Sequence, residues 1–158
     1  MIEVYIADST ALVREGLKTV IGRMKDVHIV GEAENLQELS KQALRLQPDV
    51  LVLNYASKYF SIDKIGCWKN FMPNTKILAI TPEQTNEMIL RAMEAGVKSH
   101  VMVHCSEDEI TDAIKESASQ NKRSWAYISG ILERWHREGR EGKDDGKPSR
   151  RTSKSRYI

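Results

Sequence analysis

The sequence predicts a doubly wound α/β fold: a five-stranded parallel sheet with helices on both faces and one extra helix at the C-terminal end. Two observations lead there. Five short apolar runs rich in β-branched residues have the length and composition of strands buried on both faces. Between them the apolar residues change to a three- and four-residue period, the mark of amphipathic helices. Alternating strands and helices with short connections need crossovers, which are right-handed, so the strands run parallel.

The predicted strands are residues 2–7 (IEVYIA), 27–33 (VHIVGEA), 49–53 (DVLVL), 75–80 (TKILAI) and 98–103 (KSHVMV). Helical spacing joins Val13, Leu17, Val20, Ile21 and Met24, then Leu36, Leu39, Ala43 and Leu46. It returns at Ile89, Ala92 and Met93, and again at Ile110, Ala113, Ile114 and Ala118. Thr10, Asn35 and Ser106 stand where helices open, and Glu109 follows Ser106 at the distance of a capping box. Residues 55–73 carry several aromatics without clean periodicity and predict a loop with a short helix. Trp125, Ile128, Leu132 and Trp135 form one apolar stripe on a predicted helix. The expected organisation is a domain over residues 1–122, an amphipathic helix or linker over 123–139 and a basic flexible tail over 140–158.

The 158 residues suit one domain plus a tail. No apolar stretch approaches the roughly 20 residues that cross a bilayer, and MIEVYIAD lacks the regions of a signal peptide, so a cytoplasmic protein without membrane contact is expected. Cys67 and Cys105 lie apart without CxxC spacing, which predicts reduced, inert thiols. Residues 1–132 hold 15 basic and 17 acidic side chains, whereas residues 133–158 hold 9 basic and 5 acidic ones. The body is therefore mildly acidic and the end basic. In a doubly wound sheet the chemistry sits at the C-terminal strand ends, where Asp8, Asn54, Thr81 and the residues after Val101 should converge.

The ordered segments IADSTALVREGL, VGEAENLQELS, PDVLVLN, PNTKILAIT, RAMEAGVKSHVMV and CSEDEITDAI resemble the receiver domain of bacterial response regulators, a CheY-like superfamily, in its NarL/FixJ branch. The match runs from Ile2 to about residue 120, with a fainter echo in WAYIS at 125–129. The resemblance implies a flavodoxin-like strand order of 2-1-3-4-5 and two-component signal transduction, a phosphorelay in which an aspartate receives a phosphoryl group with help from a divalent metal.

The pocket departs from the family pattern. The family places two adjacent acids after the first strand to hold Mg²⁺; here Asp8 is followed by Ser9. Asn54 stands at the phospho-acceptor position, Thr81 keeps the hydroxyl after the fourth strand, and Val103 stands at the lysine position. An amide oxygen is a poor nucleophile towards phosphorus and yields no stable acyl phosphate. Mg²⁺ prefers anionic oxygen ligands, so Asp8 alone predicts weak or absent binding and no cofactor. A buried lysine facing only an amide would lack its counter-charge, at a cost of about 3–5 kcal/mol, and replacing both partners avoids this.

Several positions carry two readings. Asp8 is a weak cation ligand or a cap near a helix N-terminus. Thr81 couples the pocket to the next helix, or with Pro82 forms a plain turn and helix start. His100, at the position of the family's switch aromatic, responds to pH near neutrality or is a half-buried polar side chain. A metal site of His100, His104 and Cys105 is disfavoured by the strand period of two. The Trp125–Trp135 stripe packs on its own domain or forms a dimer or partner contact. The basic end is a disordered tail or lends weak nonspecific nucleic-acid affinity.

The favoured expectation is an atypical, non-enzymatic receiver that signals through a protein partner or homodimer without aspartyl phosphorylation. The alternative is the receiver and linker portion of a DNA-binding transcription regulator. The residues after 120 leave no room for recognition helices, so no sequence-specific nucleic-acid binding by this chain is expected. A nucleotide binder ranks last, because Asp8-Ser9-Thr10 is no glycine-rich phosphate loop.

Overall fold

The computed structural model describes residues 1–83 and 85–119. The expected C-terminal helix with Trp125, Ile128, Leu132 and Trp135, and the basic tail, lie outside the described residues. Five parallel strands, β1 (Ile2–Ala7), β2 (Val27–Ala33), β3 (Val50–Leu53), β4 (Lys76–Thr81) and β5 (Val97–Met102), form one sheet in the order β2-β1-β3-β4-β5. The crossovers are α1 (Ala11–Ile21), α2 (Leu36–Leu46), α3 (Ile65–Phe71) and α4 (Asn86–Ala95), and α5 (Glu107–Ala118) follows the last strand. The expected loop and short helix after β3 is a single 3-10 turn, Ile62–Lys64, leading into α3.

Strand alternation divides the buried side chains between two faces. Tyr5, Ala7, Leu51, Leu53, Ile77, Ala79 and Val97 join Leu39 and Ala43 of α2, Ile65 and Trp68 of α3 and Ala92 of α4 in one core. The other set, which includes Val4, Ile6, Val52, Leu78, Ile80 and Val101, is equally buried. On that face the Ser117 hydroxyl of α5 donates to the Ser99 hydroxyl of β5 at 2.9 Å. Beside Ile80, a hollow lined by Leu12, Gly16, Val20 and Ile110 separates α1 from α5, and Leu12 is largely exposed.

Two register shifts adapt the sheet. Between Val4 and Tyr5 the partner of β1 jumps from Ile29 to Gly31, which sets Gly31 against the Tyr5 ring. Between Ile77 and Leu78 the partner of β4 jumps from Val97 to Ser99, so Val97 and His100, an odd number apart, reach the same face.

Helix ends follow local chemistry with two corrections. Asn35 accepts from the Glu38 amide at 3.0 Å, and Ser106 and Glu109 complete a reciprocal capping box at 3.1 and 3.0 Å. Thr10 stands at the N-cap of α1, but its side chain makes no capping bond. The Thr81-Pro82 helix start is also corrected, because α4 begins at Asn86 and Thr85 caps it by accepting from the Met88 amide at 3.1 Å. Gly96 ends α4 at φ 117°, where a glycine has no Cβ to clash. No helix among the described residues is long and apolar enough to cross a membrane.

Candidate functional site

The C-terminal ends of β1 and β3 meet at a buried pair. Parallel pairing carries the backbone on past the strands: the Asn54 amide N–H donates to the Ala7 carbonyl at 3.0 Å, and that of Asp8 to Ala33 at 3.1 Å. This register aims both side chains at one point. Asn54 Nδ2 donates to Asp8 Oδ2 at 2.8 Å, with Asp8 wholly buried and Asn54 nearly so. Asp8 Oδ1 accepts from the Thr10 amide at 2.7 Å, and Asn54 Oδ1 accepts from the Ala56 amide at 3.0 Å. Both oxygens of the one carboxylate are thus engaged, and the amide uses both its donor and its acceptor end. Asp8 is no helix cap in the strict sense; it closes the turn before α1 by binding an amide two residues on.

Thr81 and Val103 are joined by backbone, since the Val103 N–H donates to the Thr81 carbonyl at 2.9 Å. Thr81 is fully buried, and its hydroxyl donates to the Glu83 carbonyl at 2.7 Å. Val103 was expected inside the last strand, but β5 ends at Met102 and Val103 is exposed beyond it. Ser9 is half-buried beside Asp8.

His100 corrects two expectations. It is completely buried rather than half-buried, and burial pushes its pKa down to about 4, so it is neutral near neutrality instead of titrating there. Its Nε2 lies 2.5 Å from the Tyr55 hydroxyl, with the rings edge-to-face at 5.5 Å between centroids. Burial likewise pushes the Tyr55 hydroxyl up to about 12. His104, by contrast, is exposed, and Cys105 is half-buried, its thiol raised by burial and then by Glu109. Cys67 is exposed.

Two residues at this end of the sheet escaped the sequence reading. Tyr55 follows an apolar strand run directly, a position continuous with the core, yet it sits at the head of an aperiodic stretch. Arg14 is largely buried; its Nη1 donates to the Asp8 carbonyl at 2.8 Å, and its guanidinium lies 3.8 Å from Glu32 and 3.7 Å from Glu34. Its signal was a cation on the inner side of the first helical period.

Comparison with known proteins places this geometry. A family model, DnaB_2, described as replication initiation and membrane attachment, matches residues 83–146, less than half of the chain. Its described part is α4, β5 and α5, of which β5 is hydrogen-bonded into the receiver-like sheet. The transcriptional regulatory protein YxjL of Bacillus subtilis is 30% identical over 118 residues, covering 74% of this chain and 54% of that protein. The response regulator protein VraR of Staphylococcus aureus is 25% identical over 118 residues, covering 74% of this chain and 56% of that protein. The chain therefore spans about half the length of these curated relatives. Among solved structures, a DNA-binding response regulator of the LuxR family from Staphylococcus aureus shares the fold with a TM-score of 0.68 at 17% identity, covering 75% of this chain and 100% of that one. The relatives are named a transcriptional regulatory protein and a response regulator, and the solved structures show that the chain has the fold of response-regulator receiver domains.

Proposed function

We propose that the chain is an atypical receiver of a response regulator, a non-enzymatic module of the cytoplasm that signals through contact with a protein partner or a second copy, without aspartyl phosphorylation. The observation that carries this reading is the Asn54–Asp8 hydrogen bond at 2.8 Å. A phosphoryl acceptor in this family is a carboxylate with a free oxygen, whereas Asn54 presents a neutral amide with both ends in use. The donor set does not fit Mg²⁺ either, since a hard dication takes several oxygen ligands and the single carboxylate already accepts two hydrogen bonds. Val103 belongs to the same reading, because a lysine in its place would meet no phosphoryl group and no acceptor carboxylate.

In this account the signalling surface lies around the last two strands and helices of the domain, with the 123–139 segment as a further contact region, and a binding partner biases its arrangement. The test is intact mass after incubation with Mg²⁺ and acetyl phosphate, beside a conventional receiver as positive control. An unchanged mass is expected. A stable phosphoryl adduct would sink the reading and return the protein to the phosphorelay.

A second reading has support of its own: the chain is the receiver and linker part of a DNA-binding transcription regulator. It rests on the half-length coverage of relatives, one of which is named a transcriptional regulatory protein. Sequence-dependent electrophoretic shifts would favour it. Binding that vanishes on modestly raising salt would reflect only the basic tail.

A further inference from the structure

The residue after Asn54 leads out of the pocket. Tyr55 turns away from Asp8 and crosses the end of β4 to reach His100 on β5, and both side chains are buried. The segment that carries Tyr55 is tightly folded: the Asn54 carbonyl accepts from the Ser57 hydroxyl at 2.9 Å, and Phe60 packs edge-to-face on Trp68 of α3. Past it, Asp63 in the 3-10 turn pairs with Arg91 of α4 at 3.2 Å. That ion pair is exposed on both sides and contributes little. The buried bond is the stronger tie between the loop after β3 and the β5–α4 side.

We infer that the Tyr55–His100 hydrogen bond is a latch that couples the Asn54 position to the β5–α4 surface and holds that surface in one arrangement. Thr81, the other route from the pocket to that surface, spends its hydroxyl on the Glu83 carbonyl. Among the described residues, one buried route from pocket to surface runs from Asn54 through its neighbour Tyr55 to His100. Both rings are neutral near neutrality, so the bond needs no counter-charge and is present without any modification. The inference deepens the phosphorylation-independent reading and rests on it for its signalling role.

The experiment is amide hydrogen exchange on the full chain and on Tyr55→Phe, which removes one oxygen and keeps the ring. The expected result is a loss of protection of about tenfold in residues 55–61 and 86–95, the size of a buried bond left half-made, with residues 2–7 and 107–118 changed less than about twofold. His100→Phe should give the same regional pattern, and the double variant should lose less than the sum of the two, because the residues act as one pair. Unchanged exchange, uniform loss across the sheet or strictly additive effects would each overturn the latch. A phosphoryl adduct on the protein would overturn only its signalling role and leave the exchange pattern intact, so the two failures are distinguishable.

Discussion

At the scale of a residue, the Asn54 amide matters because of what a carboxylate would do in its place. Asn54→Asp replaces the donor Nδ2, 2.8 Å from Asp8 Oδ2, with a second acidic oxygen. Two carboxylates this close in a buried site cannot both ionise without cost, so one holds a proton or a cation must separate them. The variant should melt lower at neutral pH by the equivalent of about 2 kcal/mol, and Mg²⁺ should restore part of the loss while leaving the parent unmoved. Thermal melts with Mg²⁺ and with a chelator check this. An Asn54→Asp variant indifferent to Mg²⁺ would show that the missing second acid, at Ser9, is the stricter barrier to metal binding.

At the scale of an element, the shift between β1 and β2 is a packing device. The Tyr5 ring lies where any side chain at position 31 would begin: a Cβ there would meet Tyr5 Cε2 at 2.6 Å. Tyr5 has no easy retreat, since it is fully buried and its hydroxyl donates to the Glu32 carbonyl at 2.9 Å. Gly31→Ala should therefore destabilise the domain by about 1–3 kcal/mol, the usual range for overpacking, by moving the ring or reopening the strand pair. Urea denaturation should show a lower midpoint with an unchanged slope, and an unchanged midpoint would mean the strand edge yields freely. Elements of this kind divide into those the sequence discloses and those it does not. The central strands β3 and β4 were legible because burial on both faces leaves a nearly unbroken apolar run, whereas β2, expected to be buried on both faces, is half-exposed along most of its length. The bounds of β1 and β2 fell where expected, and those of β3, β4 and β5 moved by one residue because hydrogen bonding, not hydropathy, sets the last paired position. The capping box at Ser106 was legible because both partners lie within four residues. Thr85 was missed because Thr81-Pro82 also resembles a helix start, and only the turn at Glu83 separates them. Asp8 and Asn54 could be assigned to one end of the sheet from strand polarity. The Tyr55–His100 bond could not be read, since it spans 45 positions and depends on a β4–β5 shift that changes which face His100 occupies.

At the scale of the whole molecule, His100 ties global stability to pH. Its pKa is about 4 in the folded chain, lowered by burial from an ordinary value of 6.5 that the unfolded chain recovers. Between those values the unfolded state binds a proton that the folded state refuses, so stability rises with pH through this window. The contribution is fully present above pH 6.5, falls as pH drops towards 4, and amounts to about 3 kcal/mol across the interval. Tyr55, raised to about 12, stays protonated throughout and contributes no slope there. Carboxylates titrate at the acid end of the same range, which makes the absolute profile composite. They are shared with a His100→Phe variant and cancel in the comparison. Urea unfolding at several pH values between 4 and 7 should find the advantage of the parent over His100→Phe shrinking by about 3 kcal/mol as pH falls. Parallel profiles would mean that the imidazole gains a proton in place within the folded core. The Tyr55 contact would then have to be remade around a cation, and the β5–α4 side would respond to pH where a neutral, buried pair predicts that it does not.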